Sequence, residues 1–236
     1  MFHAALPISL VPVRRAPNAI HFGREVCGDL ELAERREWWL TNRNGAYAAG
    51  TLAGSLTRRY HGLLVAPLVP PLGRFLVLAK ADATLSDGER EWPLFTNRWA
   101  DGSVEPAGHV HIESFRLEGR LPVWRFSIGD IRIEQRIWLE CDRDAVHVVW
   151  LRLPGGPAHH LELRVGLLVN ARDHHGVTPS GAFAPQLIVD GEQLQVTHPD
   201  WFRLHIRVQH GSCQADPTWD WPSDPSAYSR RRRGKT

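Results

Sequence analysis

Four consecutive polar residues, Arg58, Arg59, Tyr60 and His61, form the densest group of side chains in the sequence that could do chemistry. They precede a strongly apolar stretch, which places them at a sheet end or in a loop. Arginine offers a planar fork of donors, and tyrosine offers an apolar ring with a polar tip. This combination suits sugar hydroxyls or a contact between domains. The alternative is a buried network that holds the loop 42–50.

These four side chains cannot all point into an apolar core, because each buried donor there needs a partner. We therefore expect a division of the group. One arginine is expected to be held internally against the loop 42–50. The other arginine and His61 are expected near a surface that faces a second domain.

Carboxyl groups are the other residues that could carry a reaction, and Glu37, Glu113 and Asp173 are the candidates. Hydrolysis of a glycosidic bond needs two carboxyl groups about 5–5.5 Å apart for retention, or about 6.5–9.5 Å apart for inversion. No such pair follows from the sequence. The simpler prediction is that each carboxylate caps a turn or pairs with an arginine, such as Asp173 with Arg172.

Thirteen histidines raise the question of a metal site. His109 and His111 are predicted to share one face of a strand, and 159–160 and 174–175 are adjacent pairs. A metal site also needs a third or fourth ligand that converges in space, and the sequence identifies none. We therefore predict no metal. The sequence also lacks the glycine-rich and nucleophile-elbow patterns of nucleotide enzymes and serine hydrolases, so no cofactor is predicted.

Ten tryptophans are many for a chain of 236 residues. Trp124 and Trp150 fall within apolar strands and are predicted to belong to the core. Trp38, Trp39 and Trp99 are the ones expected at a surface, where an aromatic ring could stack against a sugar.

The net charge of +2 depends on the arginine run 230–233 and Lys235, so it does not indicate nucleic-acid binding. The three cysteines are far apart, which favours a reducing compartment over a disulfide framework. The first residues lack the pattern of a signal peptide, and no apolar stretch is long enough to span a bilayer. The sequence therefore predicts a cytoplasmic protein without a membrane partner.

Alternation of apolar and polar residues dominates the chain and predicts antiparallel strands. The strongest examples are the segments 131–139, 161–169 and 202–208. The dipeptides at 87–88, 129–130 and 190–191 pair glycine with aspartate, which is typical of tight hairpins. The almost continuously apolar stretch 146–153 predicts a central strand that is covered on both faces. Residues 30–39 are the best candidate for a short helix.

These patterns predict an all-β fold, a two-sheet antiparallel sandwich. The predicted domain organisation has three parts: an N-terminal extension over residues 1–20, the sandwich over 21–212, and a basic tail or linker over 213–236. The tail carries prolines, tryptophans and arginines without any periodicity, so it is predicted to be unstructured.

Two long segments carry an unusual signature: residues 37–51 read EWWLTNRNGAYAAGT, and residues 57–66 read TRRYHGLLVA. They resemble the patterns E-W-L-x-T-N-G-x-G-G-Y-A-S-G-T and T-R-R-Y-H-G-L-L-V-A of the N-terminal domain of bacterial and archaeal glycogen debranching enzymes. The segments 108–115, GHVHIESF, and 169–175, VNARDHH, are similar to two further patterns of that family. The resemblance covers residues 22–209. Arg43 and Ala46 depart from it, since both stand where the family has glycine.

The resemblance implies a β-sandwich that precedes an α-helical barrel, and it implies that the barrel carries the catalytic carboxylates. The whole enzyme would be an amylo-α-1,6-glucosidase that hydrolyses the branch linkages of glycogen or a related α-glucan. No stretch of this sequence has the sustained helical period of a barrel. We therefore expect an accessory domain with no catalytic residue, whose partners are α-glucan and a barrel joined in cis or supplied in trans.

Two other functions fit the sequence: a stand-alone α-glucan-binding module without catalysis, and a structural domain that binds nothing. In the first of these, exposed aromatic residues would hold the glucan. The candidates for substrate binding or domain docking are Arg58, Arg59, Tyr60, His61, Trp38, Asn42, Arg172 and Asp173.

Overall fold

The computed structural model describes residues 20–69, 73–99, 101–156, 160–177 and 185–215. Residues 1–19 of the predicted extension and 216–236 of the predicted tail, with the arginine run, lie outside the described residues. The three cysteines are described, and all are free thiols. None of the helices in the described part of the chain could span a membrane.

Two short α-helices precede the main strands of the described chain. α1 spans Arg24–Cys27 and α2 spans Leu30–Glu34. Asp29 caps α2, because its side chain accepts a hydrogen bond from a backbone amide of the first turn. The helix predicted over 30–39 is therefore real but half as long, because the alternating residues after it form a strand instead.

The described strands, in chain order, are β1 (His21–Phe22), β2 (Glu37–Thr41), β3 (Tyr47–Thr51), β4 (Gly62–Val69), β5 (Gly73–Ser86), β6 (Glu91–Pro93), β7 (Thr96–Arg98), β8 (Val104–Ala107), β9 (Ile112–Glu118), β10 (Leu121–Ile128), β11 (Ile131–Leu139), β12 (Val146–Arg152), β13 (Glu162–Asp173), β14 (Gln186–Asp190), β15 (Gln193–His198) and β16 (Phe202–Arg207). A short 3-10 helix, Gly108–His111, lies between β8 and β9.

Two antiparallel sheets make up the sandwich. The five-stranded sheet has the order β1-β9-β10-β11-β12, and the six-stranded sheet has the order β13-β5-β4-β3-β2, with β6 paired to β5. One core cluster joins Leu40 and Leu64 of the six-stranded sheet to Phe115, Phe126 and Ile133 of the five-stranded sheet. Because they share this buried core, the two sheets pack face to face. The predicted all-β sandwich is confirmed.

The predicted hairpins and alternation are confirmed in the five-stranded sheet. β10 pairs with β11 through a turn in which Gly129 has a φ of +53°, a conformation that side chains other than glycine rarely adopt. Ile131, Ile133 and Ile137 are buried on the inner face of β11. Arg136 lies on the outer face, as the alternation requires.

The prediction of a central strand over 146–153 is wrong. β12 is the edge strand of the five-stranded sheet, and its residues are half-buried or exposed. Val148 and Trp150 pack against the core, whereas Val149 and Leu151 lie on the outer face beside β11. Both faces of this edge carry apolar residues, so its sequence resembles that of a fully covered strand.

Two smaller sheets were not predicted. β7 pairs with β8, and β14, β15 and β16 form a three-stranded sheet. In the second of these, Val196 is buried, whereas every residue of β14 is exposed. Trp201, in the turn between β15 and β16, contacts Phe75 of the six-stranded sheet at a ring separation of 4.6 Å.

The same substitution at two isoleucines tests the core. Ile133 is 4% exposed and Ile188 of β14 is 61% exposed. Ile133→Asp places an unpaired carboxylate in the core and should cost several kcal/mol, enough to unfold a domain with a stability of about 5–15 kcal/mol. Ile188→Asp should shift the urea midpoint little. Equal losses for both variants, measured by urea unfolding and circular dichroism, would contradict the shared core.

Candidate functional site

The outer face of the six-stranded sheet carries a second apolar cluster. The signature loop, residues 52–61, packs on it through Leu56, whereas Leu52 and Ala53 at its start belong to the core between the sheets. Tyr47, Ala49, Val65 and Leu76 are buried there, and Leu56 of the loop packs on them. These residues alternate with the core residues of their strands, so they lie on the opposite side of the sheet. The loop thus places Arg58, Arg59, Tyr60 and His61 on the outer face.

A buried polar network fixes the start of this loop. The Thr51 hydroxyl donates a hydrogen bond of 2.7 Å to the Ser55 carbonyl, and both side chains are fully buried. The Ser55 hydroxyl donates to Glu34 of α2, whose carboxylate also receives two hydrogen bonds from Arg98. The loop is therefore attached to α2 and β7 as well as to the sheet.

Glu37, Arg58 and His61 form one end of the site. Arg58 Nε donates a hydrogen bond to Glu37 Oε1, and His61 Nε2 lies 3.4 Å from the same oxygen. His61 Nδ1 accepts the backbone N–H of Thr57 at 3.2 Å. This contact assigns the ring proton to Nε2, where it faces the carboxylate.

His61 is 2% exposed, so its charge state depends on burial. Burial lowers the pKa of His61 to about 4, with a smaller contribution from Arg58, although the Glu37 carboxylate acts in the opposite direction. The imidazole is therefore neutral at neutral pH, and it holds the loop as a hydrogen-bonding group.

Arg172 of β13 joins the signature loop to the turn that follows β13. Its Nη2 donates a hydrogen bond of 2.7 Å to the Arg59 carbonyl. Its Nη1 donates to the Gly176 carbonyl at 3.0 Å and lies within 3.4 Å of the His174 carbonyl. Burial, and then the charge of Arg59, lower the pKa of Arg172. One guanidinium thus binds backbone from two segments that are far apart in sequence.

The turn that follows β13 also contacts side chains of the loop 52–61. Arg59 Nη1 donates a hydrogen bond of 2.6 Å to the His175 carbonyl, and the Tyr60 hydroxyl lies 3.2 Å from His175 Nδ1. Asp173 accepts the backbone N–H of His175 at 2.8 Å. Asp173 therefore caps a turn, one of the two roles predicted for it, whereas the predicted pair of its carboxylate with Arg172 is not among the ion pairs of the described residues.

The loop 42–46 forms the opposite side of the site. The Asn42 side chain accepts the Ala46 amide at 2.9 Å and donates to Asp144 at 3.0 Å, so it shapes the loop from within. Gly45 has a φ of +88°, and its carbonyl accepts a hydrogen bond of 2.9 Å from Arg74 Nε. Neither Arg43 nor Ala46 has a positive φ. The two departures from the family pattern therefore cause no backbone strain.

Between the two loops lies an open hollow of about 340 Å³ on the outer face. Trp39 of β2 stacks on Tyr47 of β3, with ring centroids 4.6 Å apart and planes 16° apart. Tyr60 and His174 form another part of the wall, with ring centroids 5.7 Å apart. The lining residues are Trp39, Thr41, Gly45, Ala46, Tyr47, Tyr60, Arg74 and His174.

The predicted division of roles between Arg58 and Arg59 is wrong. The side chain of Arg58 binds Glu37 and that of Arg59 binds the His175 carbonyl, whereas Arg74 binds the loop 42–50. His61 is buried rather than surface-facing. The sequence could not assign these contacts, because every candidate arginine can reach a carbonyl and only the strand register decides which one does.

Two further predictions are wrong. Trp38 is 7% exposed and packs edge-on against Trp124 in the core, so it is not a surface residue. His109 and His111 lie on a 3-10 helix, Gly108–His111, and not on a strand. Across the described ranges, no group of three or more His, Cys, Asp or Glu residues is arranged to hold a metal ion.

Comparison with known proteins identifies the family. The family model described as "Glycogen debranching enzyme N terminal" matches residues 36–229, which is most of the chain. The chain belongs to the glycogen debranching enzyme N-terminal family. Comparisons with curated proteins and with solved structures found no match.

All eight lining residues of the hollow fall within the matched range of this debranching enzyme N-terminal domain. Sequence reasoning placed Arg59, Tyr60, Arg172 and Asp173 among the site candidates, and the structure brings them together. Sequence reasoning did not identify Tyr47, Arg74 or His174 as residues of the site.

Alternation along β2 is the signal that separates its two tryptophans, since Trp38 shares a face with Leu40 and Trp39 does not.

The contacts of Arg172 predict that it stabilises the site more than either signature arginine. Arg172→Ala leaves several carbonyls without their donor and should lower the free energy of unfolding by roughly 1–3 kcal/mol. Arg58→Ala removes a half-exposed ion pair, for which a loss of about 0–1 kcal/mol is expected. The urea midpoints of Arg172→Ala, Arg58→Ala and Arg59→Ala test whether Arg172 contributes most to stability. A larger loss for Arg58→Ala than for Arg172→Ala would contradict it.

Burial of His61 predicts a pH-dependent stability. Its pKa is about 4 in the folded chain and its ordinary value is 6.5. The unfolded chain therefore binds the extra proton between these values, and stability is lost as the pH falls through this window. His61→Asn keeps an acceptor for Thr57 but does not titrate. The advantage of the wild type over this variant should shrink by about 2–3 kcal/mol between about pH 7.5 and about pH 4.5. Parallel urea-unfolding profiles would contradict the buried neutral imidazole.

Proposed function

We propose that this chain is the non-catalytic accessory domain of a glycogen debranching enzyme. The whole enzyme hydrolyses α-1,6-glucosidic branch linkages of glycogen or a related α-glucan. It does so only when this sandwich is joined, in cis or in trans, to an α-helical barrel that carries the catalytic carboxylates. We place the protein in the cytoplasm, where reducing conditions keep its three thiols free.

The observation that carries this proposal is that the carboxylates at the site make structural contacts. Glu37 binds Arg58 and lies against His61, and Asp173 caps the turn after β13. The residues that line the hollow include no Asp or Glu. A glycosidase needs one carboxyl group as an acid and a second as a base or nucleophile. The described site supplies neither role.

The exposed side chains of the site support a role in contact with a partner. Trp39 and Tyr60 remain exposed although both lie beside a buried apolar cluster. Tryptophan, tyrosine and arginine are the residues most enriched where proteins bind their partners. The outer face of the six-stranded sheet is therefore the face that we assign to the glucan and to the barrel.

A stand-alone α-glucan-binding module is the second candidate function. The exposed indole of Trp39 favours it, because an aromatic platform can hold a sugar without any catalytic group. The two candidates differ in whether the chain contributes to hydrolysis.

An activity assay with two arms separates these functions. The purified chain, incubated with a branched limit dextrin, should release no glucose above a buffer blank. The same chain, added to the helical barrel of a family member that lacks its own N-terminal domain, should increase the release of glucose from that substrate. The expected increase is at least about tenfold, because aligning substrate groups is a large part of catalysis.

The controls use residues that the structure places in other roles. Glu113 lies beside Arg132, and Asp173 caps a turn. Glucose release by the chain alone, abolished by Glu113→Gln or Asp173→Asn, would overturn the accessory role. Glucan binding with no effect on the barrel would favour the stand-alone module instead.

A further inference from the structure

The hollow beside Trp39 has the composition of a sugar-binding site, and its tryptophan is unusually exposed. Trp39 is 54% exposed, although an indole normally gains from burial. Its ring lies almost parallel to the buried ring of Tyr47, at 4.6 Å. The indole is thus supported from one side, in a fixed orientation at the wall of the hollow.

Two polar side chains, Arg74 and His174, line the hollow. Arg74 Nε donates a hydrogen bond to the Gly45 carbonyl. No ion pair between described residues involves the Arg74 guanidinium. The Arg74 carbonyl accepts the backbone N–H of His174 at 2.9 Å and lies 3.0 Å from His174 Nδ1. The carbonyl can only accept, so the ring proton lies on Nδ1 and leaves Nε2 as the acceptor atom. A donor and an acceptor therefore lie near the aromatic platform.

The volume of the hollow and the polarity of its wall suit a single sugar ring. The hollow of about 340 Å³ lies at the lower end of the range of small-molecule sites. The C–H groups on one side of a pyranose ring carry partial positive charge, which suits the negative face of an indole. Its hydroxyl groups can both donate and accept, which suits a guanidinium beside an imidazole nitrogen.

We propose that this hollow binds one glucosyl unit of an α-glucan, with the sugar ring stacked on Trp39 and its hydroxyl groups bonded to Arg74 and His174. This inference rests on the proposed function for its choice of sugar. It adds the subsite, the stacking residue and the polar partners. The site holds a non-reacting part of the glucan, because no carboxyl group lines the hollow.

Electrophoresis in gels that contain glycogen tests the proposal. The wild-type chain should migrate more slowly than in a gel without glycogen. Trp39→Ala should weaken binding by roughly tenfold, the effect expected when one stacking contact is lost. Trp201→Ala is the matched control, because Trp201 is 45% exposed and lies outside the hollow. It should migrate like the wild type.

A second variant keeps the test valid if Trp39→Ala does not fold. Thr41 is an exposed residue of β2 that lines the hollow, so Thr41→Arg fills the space and leaves Trp39 in place. This variant should also lose the glycogen retardation at an unchanged melting temperature. Saturation-transfer NMR with maltotriose should then give signals for the wild type and none for Thr41→Arg.

Three results would overturn the subsite: no retardation of the wild type, equal retardation of Trp39→Ala and Trp201→Ala, or unchanged binding in Thr41→Arg. A hollow that only docks another domain would give the first of these. If the wild type binds no glycogen but still stimulates the barrel, the subsite fails and the proposed function stands. If it binds glycogen through Trp39 but leaves the barrel unaffected, the subsite stands and the accessory role fails.

Discussion

The outer face of the six-stranded sheet is apolar at its centre, and this constraint determines the rest of the site. The solvated face of an antiparallel sheet is commonly polar, yet Tyr47, Val65 and Leu76 are buried on this face. Leu56 of the loop 52–61 packs on this apolar surface, while Leu52 and Ala53 at the start of the loop remain in the core between the sheets. A loop has no strand partners of its own, so its backbone groups need other contacts. Arg172 supplies one of them on the Arg59 carbonyl.

The loop is held by contacts of different strength, and they assign different roles to neighbouring residues. Ser55 and His61 are buried: Ser55 binds Glu34 of α2, whereas His61 binds Thr57 of the same loop and lies against Glu37 of β2, so both are expected to stabilise the loop. Arg58 reaches an exposed carboxylate, and such pairs contribute little. Tyr60 projects beside the hollow with its ring exposed. Adjacent residues of one signature thus divide between holding the loop and presenting a surface.

Local pattern predicted β11, β13 and β16 and the faces of their apolar residues, because alternation and turn residues act over a few positions. Contacts between distant segments were not predictable in this way. Arg59 and Arg172 are separated by 113 residues, and their hydrogen bond depends on the register between strands. The edge position of β12 depends on sheet order, which its apolar sequence does not encode. Trp38 differs from these cases, because its alternation with Leu40 along β2 is a local signal and indicates a core position.

The position of Trp39 makes it a rigid platform for the proposed sugar site. The residue lies on β2, which pairs along its length with β3, and Tyr47 supports its ring from the same hairpin. A platform on paired strands loses little conformational freedom when a ligand arrives, whereas a platform on a mobile loop must first be ordered. Arg74 is likewise fixed before binding by the Gly45 carbonyl. The side chains of Trp39 and Arg74 are therefore preorganised, as the proposed glucosyl subsite requires.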